Sequence, residues 1–182
     1  MVMSIIRKRR SIRQFLDKPI EAKKIDLLIE AALRAPSSRG INPWEFIVVI
    51  DKALLVKLAQ AKQHGSTFLK NAPLGICVCA DAEKCDVWVE DASIASIFIH
   101  LAAVSLGLGS CWIQIRQRMH DGKKSAQEFI AETLHLPARL QVESIIAVGY
   151  PAEKLPSHTK EELLFEKVHT DIYGRPYYKV VV

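Results

Sequence analysis

"GLGSCW", residues 107 to 112, is the stretch whose reading decides the fold. Its two glycines suggest the G-x-G-x-x-G turn that opens a dinucleotide-binding βαβ unit. Two features exclude that. Trp112 stands where the third glycine belongs, and the glycines follow the apolar run "ASIASIFIHLAAVSLG" (92 to 107), which reads as a buried helix rather than a strand. Gly107 then suits the left-handed position that ends a helix, and "SCWIQI" (110 to 115) reads as a strand.

Working outward, Asp91 is expected to cap the long helix. "WEFIVVI" (44 to 50), "LGICVCA" (74 to 80) and "ESIIAVGY" (143 to 150) are β-branched, strand-like runs. Residues 21 to 35 place Ile25, Leu28, Ile29 and Ala32 on one helical face, with Pro36 as the stop. "KALLVKLAQAK" (52 to 62) and "SAQEFIAETL" (125 to 134) read as further helices. The interleaving is too irregular for βαβ winding, so the expected class is α+β. One domain over residues 1 to 182 is expected, with 151 to 182 as a polar C-terminal arm ending in the apolar strand "YYKVVV". An apolar strand after a polar excursion calls for a pairing partner, on this chain or a second one.

Of 182 residues, 49% are apolar and 25% charged, which is globular composition. No uninterrupted apolar run has the length of a membrane span, and the basic N-terminus lacks the apolar region and cleavage site of a signal peptide. A cytoplasmic protein with no membrane or nucleic-acid partner is expected. The net charge of +5 is spread along the chain without a basic–aromatic stripe. Cys77, Cys79, Cys85 and Cys111 lack CxxC spacing, and the six histidines are scattered, so no metal site is expected. The cysteines read as core thiols and His100, inside the apolar helix, as a core histidine.

The other informative stretch is "RRSIRQF" (9 to 15). If it is extended, Arg9, Ser11 and Arg13 project to one side over roughly 13 Å. Guanidinium forks match phosphate oxygens and serine adds a donor, so this line suits an elongated ligand with a phosphate at one end. Surface charge is the alternative.

Taken in order, "RRSIRQF", "APSSRGINPWEFIVV", "LAAVSLGLGSCWI" and "IAVGYP" resemble the nitroreductase family of FMN-dependent oxidoreductases, from Ile5 to about Tyr173. The resemblance implies an α+β fold whose central, mainly antiparallel sheet is flanked by helices, with C-terminal arms exchanged in a homodimer. It implies that Arg9, Arg10, Ser11 and Arg13 hold the phosphate, ribityl chain and pyrimidine edge of non-covalent FMN. It assigns Pro36, Ser37, Ser38, Arg39 and Asn42 to a loop laid against the other subunit's flavin. It sets Trp112, Ile113 and Gln114 beside the isoalloxazine, with a backbone amide toward N5. Many members carry Asn at Gly40 and Gln at Asn42, and this chain has no room for a large substrate-capping insertion. The implied activity is hydride transfer from NAD(P)H to a small oxidised acceptor such as a nitro compound or quinone. No catalytic side chain is implied, because flavin N5 carries the chemistry. The alternative is a non-enzymatic flavin-binding or flavin-storage protein.

Overall fold

A computed structural model describes residues 2–177. In chain order the elements are α1 (Val2–Lys8), α2 (Ala22–Leu33), β1 (Trp44–Val49), α3 (Lys52–Leu58), β2 (Leu74–Asp81), α4 (Trp88–Ser105), β3 (Gly109–Gln114), α5 (Ala126–Leu134) and β4 (Leu140–Gly149). The strands form one antiparallel sheet in the order β1-β2-β4-β3, the α+β architecture expected.

Alternation of side chains across the strands builds two cores. Cys77, Cys79, Ile113, Ile145 and Ala147 face α3 and α5, while Ile76, Val78, Ile146 and Val148 face α2 and α4. β2 is buried at every position, which explains its near-continuous apolar sequence. The four cysteines are buried free thiols, and Cys77 and Cys79 share a face with sulfurs 3.6 Å apart. The hydrogen bond with the Cys79 sulfur and then burial push the Cys77 thiol well up, so it behaves as a core residue.

The helix–glycine–strand reading holds. α4 ends with Leu108 N donating to Ala103 O (2.8 Å) and Gly107 N to Val104 O (3.1 Å), the paired bonds of a Schellman motif. Gly107 has φ +74°, which a side chain tolerates poorly. By length and composition α4 could cross a bilayer, but in this fold it lies along the sheet.

Three local expectations are corrected, and one helix is added. Asp91 does not cap α4, which begins at Trp88; it sits buried in the first turn and binds elsewhere. α3 stops at Leu58, because the buried Ser66 hydroxyl donates to Ala59 O (2.8 Å) and Lys62 O (3.3 Å) and folds 59–66 into a loop. β4 starts at Leu140, three residues early, and takes a bulge opposite Val78/Cys79. α1 was not anticipated: none of its residues is buried within this chain. The expected strand "YYKVVV" falls almost wholly on residues 178 to 182, outside the described residues.

Candidate functional site

The site is built on the outer edge of β3. The N-terminal segment runs alongside it, with Ile12 N bonded to Ser110 O (3.0 Å), Leu16 N to Tyr150 O (2.8 Å) and Ala152 N to Gln14 O (2.9 Å). Two glycines make this approach possible. A Cβ on Gly109 would lie 2.8 to 2.9 Å from the Cβ and both γ-carbons of Ile12, and one on Gly149 would lie 2.7 Å from Pro73 Cδ and 2.8 Å from Phe15 Cδ1. Ile12 and Phe15 therefore sink into the core over bare backbone. Arg13, one residue beyond Ile12, is left exposed at the surface.

Around this segment the cations are held in different ways. The Arg13 guanidinium lies 5.9 Å from the Phe68 ring centroid, and its backbone N–H donates to Glu153 Oε1 (2.6 Å), as does that of Gln14 (3.1 Å). Arg10 turns away to donate to the carbonyl of Pro156, beyond β4. Arg9 is half-buried and has no ion-pair partner among the described residues. Beneath it, buried His100 shares a 2.7 Å bond between Nδ1 and Ser110 Oγ. Burial and then the Arg9 charge lower its pKa to about 4, so this core histidine is neutral. Burial raises the Cys111 thiol, against the pull of Arg13, a Ser11 hydrogen bond and Arg9.

Beyond Ser110 the outer edge of β3 is unpaired among the described residues, so one row of its backbone groups is free for a ligand. Side chains lock the end of this strand. Trp112 Nε1 donates to Gln114 Oε1 (2.8 Å), and Gln114 Nε2 donates to Arg116 O and Glu143 Oε1 (3.2 Å each). Glu143 is buried, its Oε2 has no partner among the described residues, and burial raises its carboxyl pKa. Ile113 points into the opposite core, so only its backbone can serve a ligand.

Pro36, Ser37, Ser38, Arg39 and Asn42 form a separate feature. Arg39, Gly40 and Asn42 have φ of +55°, +66° and +51°, a concentration of strain typical of ligand clamps. The loop is held by Ser37 Oγ, which accepts from Asn42 N (2.9 Å) and donates to Asn42 Oδ1 (2.7 Å), and by Ser38 N donating to Asp91 Oδ1 (2.9 Å). The exposed Arg39 pairs with Asp86 at 2.6 Å.

One chain thus brings Arg9, Ser11 and Arg13 to the strand carrying Trp112, Ile113 and Gln114, with Arg10 directed aside. It holds the 36–42 loop away from the arginine line. That loop docks at Asp91, nine residues or roughly 13 Å along α4 from His100, on the layer opposite Phe68. Reading the sequence missed Gly109, Gly149, Glu153 and Glu143. The glycines carried a usable signal, since each lies in a strand where only a close approach or a bulge explains its presence.

An α+β protein with an open strand edge flanked by an arginine line is the class this geometry defines. A model of the nitroreductase family matches residues 6–66 and 55–150, and the chain belongs to that family. A solved structure described as an FMN-dependent nitroreductase from Clostridium difficile R20291 is 48% identical, covers 94% of this chain and 99% of its own, and superposes with a TM-score of 0.93. A protein of Methanothermobacter thermautotrophicus, provisionally named NADH dehydrogenase/NAD(P)H nitroreductase, is 37% identical over 84% of this chain and 78% of its own length. A provisionally assigned nitroreductase from Desulfovibrio desulfuricans, solved in complex with FMN, is 29% identical with a TM-score of 0.76, covering 94% and 97% of the two chains.

Proposed function

We propose that this chain is an FMN-dependent NAD(P)H oxidoreductase that works as a homodimer on a small oxidised acceptor. The observation that carries the reading is the open edge of β3, with Arg9, Ser11 and Arg13 grouped at its start. That donor set fits FMN: guanidinium groups for the phosphate, a hydroxyl for the ribityl chain, and strand amides for the ring. Bound FMN supplies a ring that takes a hydride from NAD(P)H and gives up the electrons to the acceptor.

The chain's own residues bind and orient. Glu153 fixes the backbone from which Arg13 projects. The Trp112–Gln114–Glu143 chain holds the end of β3 in register. Neutral His100 adds no charge beside Arg9, leaving that guanidinium for an anion. The reduced, buried thiols suit a cytoplasmic setting.

The second copy completes the site. Within one chain the strained 36–42 loop is far from the arginine line, so it serves a partner's flavin. An apolar groove of about 390 Å³, lined by Val2, Ile5, Phe98 and Leu101 among others, lies between α1 and α4, with Ile94 and Ile97 exposed nearby. A second copy of the chain covers this face. Isothermal titration with FMN, paired with sedimentation, tests the proposal. Saturable binding of one FMN per chain on a dimer is expected; failure to bind FMN overturns it.

A further inference from the structure

A second cluster of cations lies past the arginine line, at a cavity of about 290 Å³ lined by Lys62, Gln63, His64, Arg118 and Met119. No acidic residue lines it. Neither Lys62 nor Arg118 has an acidic partner among the described residues. Two cations brought together without a carboxylate repel each other; burial first, then the Arg118 charge, lowers the Lys62 pKa.

The arrangement is built rather than incidental. The buried Ser66 hydroxyl fixes the loop by donating to Ala59 O and Lys62 O. Gly65 supplies the φ of +80° at which the loop turns, and the Lys62 ammonium packs over it, 3.5 Å from where a Cβ would stand. On the other wall Arg118 follows Gln117, which is held at φ +57°. Ala126 N donates to Arg118 O (2.9 Å), and His120 Nδ1 donates to Gln60 O (2.8 Å), joining the two walls. Arg118 N donates to Ile115 O (3.0 Å), so this wall of the cavity begins one residue past the end of β3. The cavity therefore lies just beyond the end of β3, the strand whose open edge is assigned to the flavin above. Its volume is at the lower end for a ligand pocket, enough for a charged end group and too small for a dinucleotide.

We propose that the Lys62–Arg118 cavity is an anion subsite that takes the carboxylate or phosphate end of a substrate reacting at the neighbouring strand edge. This rests on the flavin reading above. Two sources share that chemistry: an acceptor bearing a carboxylate, and the 2′-phosphate of NADPH. Paired half-reactions separate them in the FMN-loaded protein, with Lys62→Gln, Arg118→Gln, the double variant and Lys62→Arg.

For an acceptor source, the ratio of kcat/KM for 4-nitrobenzoate to that for 4-nitrobenzyl alcohol falls about tenfold in each Gln variant and further in the double, and Lys62→Arg restores it. For a nucleotide source, the ratio of flavin reduction rates by NADPH and NADH falls instead. In both cases the native preference weakens as salt is raised. Ratios that stay at the native value in both arms overturn the subsite. A matching loss of FMN affinity also overturns it, and makes Lys62 and Arg118 part of the flavin cradle. If the native chain binds no FMN, the flavin reading fails separately, and calorimetric titration with 4-nitrobenzoate still decides whether the cavity holds an anion.

Discussion

Gly109→Ala isolates the contact that seats the arginine line. Its new Cβ would meet three carbons of Ile12 at 2.8 to 2.9 Å, against an ordinary contact of about 3.5 to 4 Å. One of those carbons is the Ile12 Cβ, which no side-chain rotation moves, so the backbone of residues 11 to 13 must retreat by roughly 0.7 Å or more. Overpacking of this kind costs about 1 to 3 kcal/mol, and release of the Ile12–Ser110 bond adds about 1 kcal/mol. Ser11 and Arg13 flank Ile12 and retreat with it. Loss of one charge-assisted bond to phosphate, about 1.5 to 3 kcal/mol, raises the FMN Kd at least about tenfold. The assay is urea unfolding of FMN-free protein together with calorimetric FMN titration. Gly107→Ala is the control: nothing lies within 4 Å of its Cβ, but φ of +74° imposes strain, so it loses about 1 kcal/mol of stability and keeps its FMN affinity. If Gly109→Ala is destabilised yet binds FMN like the native chain, the contact does not position the site.

Arg13→Ala and Arg9→Ala should each weaken FMN binding by about 1.5 to 3 kcal/mol, whereas Lys57→Ala, on α3 away from the site, should change the Kd less than twofold; equal affinity in all three would reduce the line to surface charge. His100 gives a pH signature. Its folded pKa of about 4 lies below the ordinary 6.5, so the unfolded chain protonates first, and stability present above about pH 6.5 is lost as pH falls toward 4. The loss approaches roughly 3 kcal/mol in all, and His100→Gln should flatten the urea-midpoint profile over that window. Deleting residues 160 to 182 should cost dimerisation and FMN retention together; a monomeric truncation with full FMN affinity would place the whole site in one chain.

Much of this was legible where local chemistry speaks for itself. Gly107 ends α4 as its residue type suggests, and Ser125 starts α5 with a capping box to Glu128. β2 and β4 announce themselves by burial on both faces. What escaped depends on contacts between distant segments. Asp91 has the residue type of a cap but spends its carboxylate on Ser38 N and Cys85 Sγ. Nothing in 59 to 62 signals a stop; Ser66 imposes it from beyond. Glu143 looks like an ordinary strand-end acid until the bulge turns it toward Gln114. The arginine line was readable as a pattern, but the diversion of Arg10 to the Pro156 carbonyl and the role of Glu153 required the arm to be placed beside it.

The most direct test of the central claim is anaerobic. FMN-loaded protein is mixed with one equivalent of NADH or NADPH per flavin, and the yellow absorbance is followed before and after adding a nitroaromatic or quinone acceptor. The account predicts bleaching by the nucleotide and recovery of the colour with reduction of the acceptor. Flavin that stays yellow while firmly bound would contradict it, leaving a protein that holds FMN without turning it over.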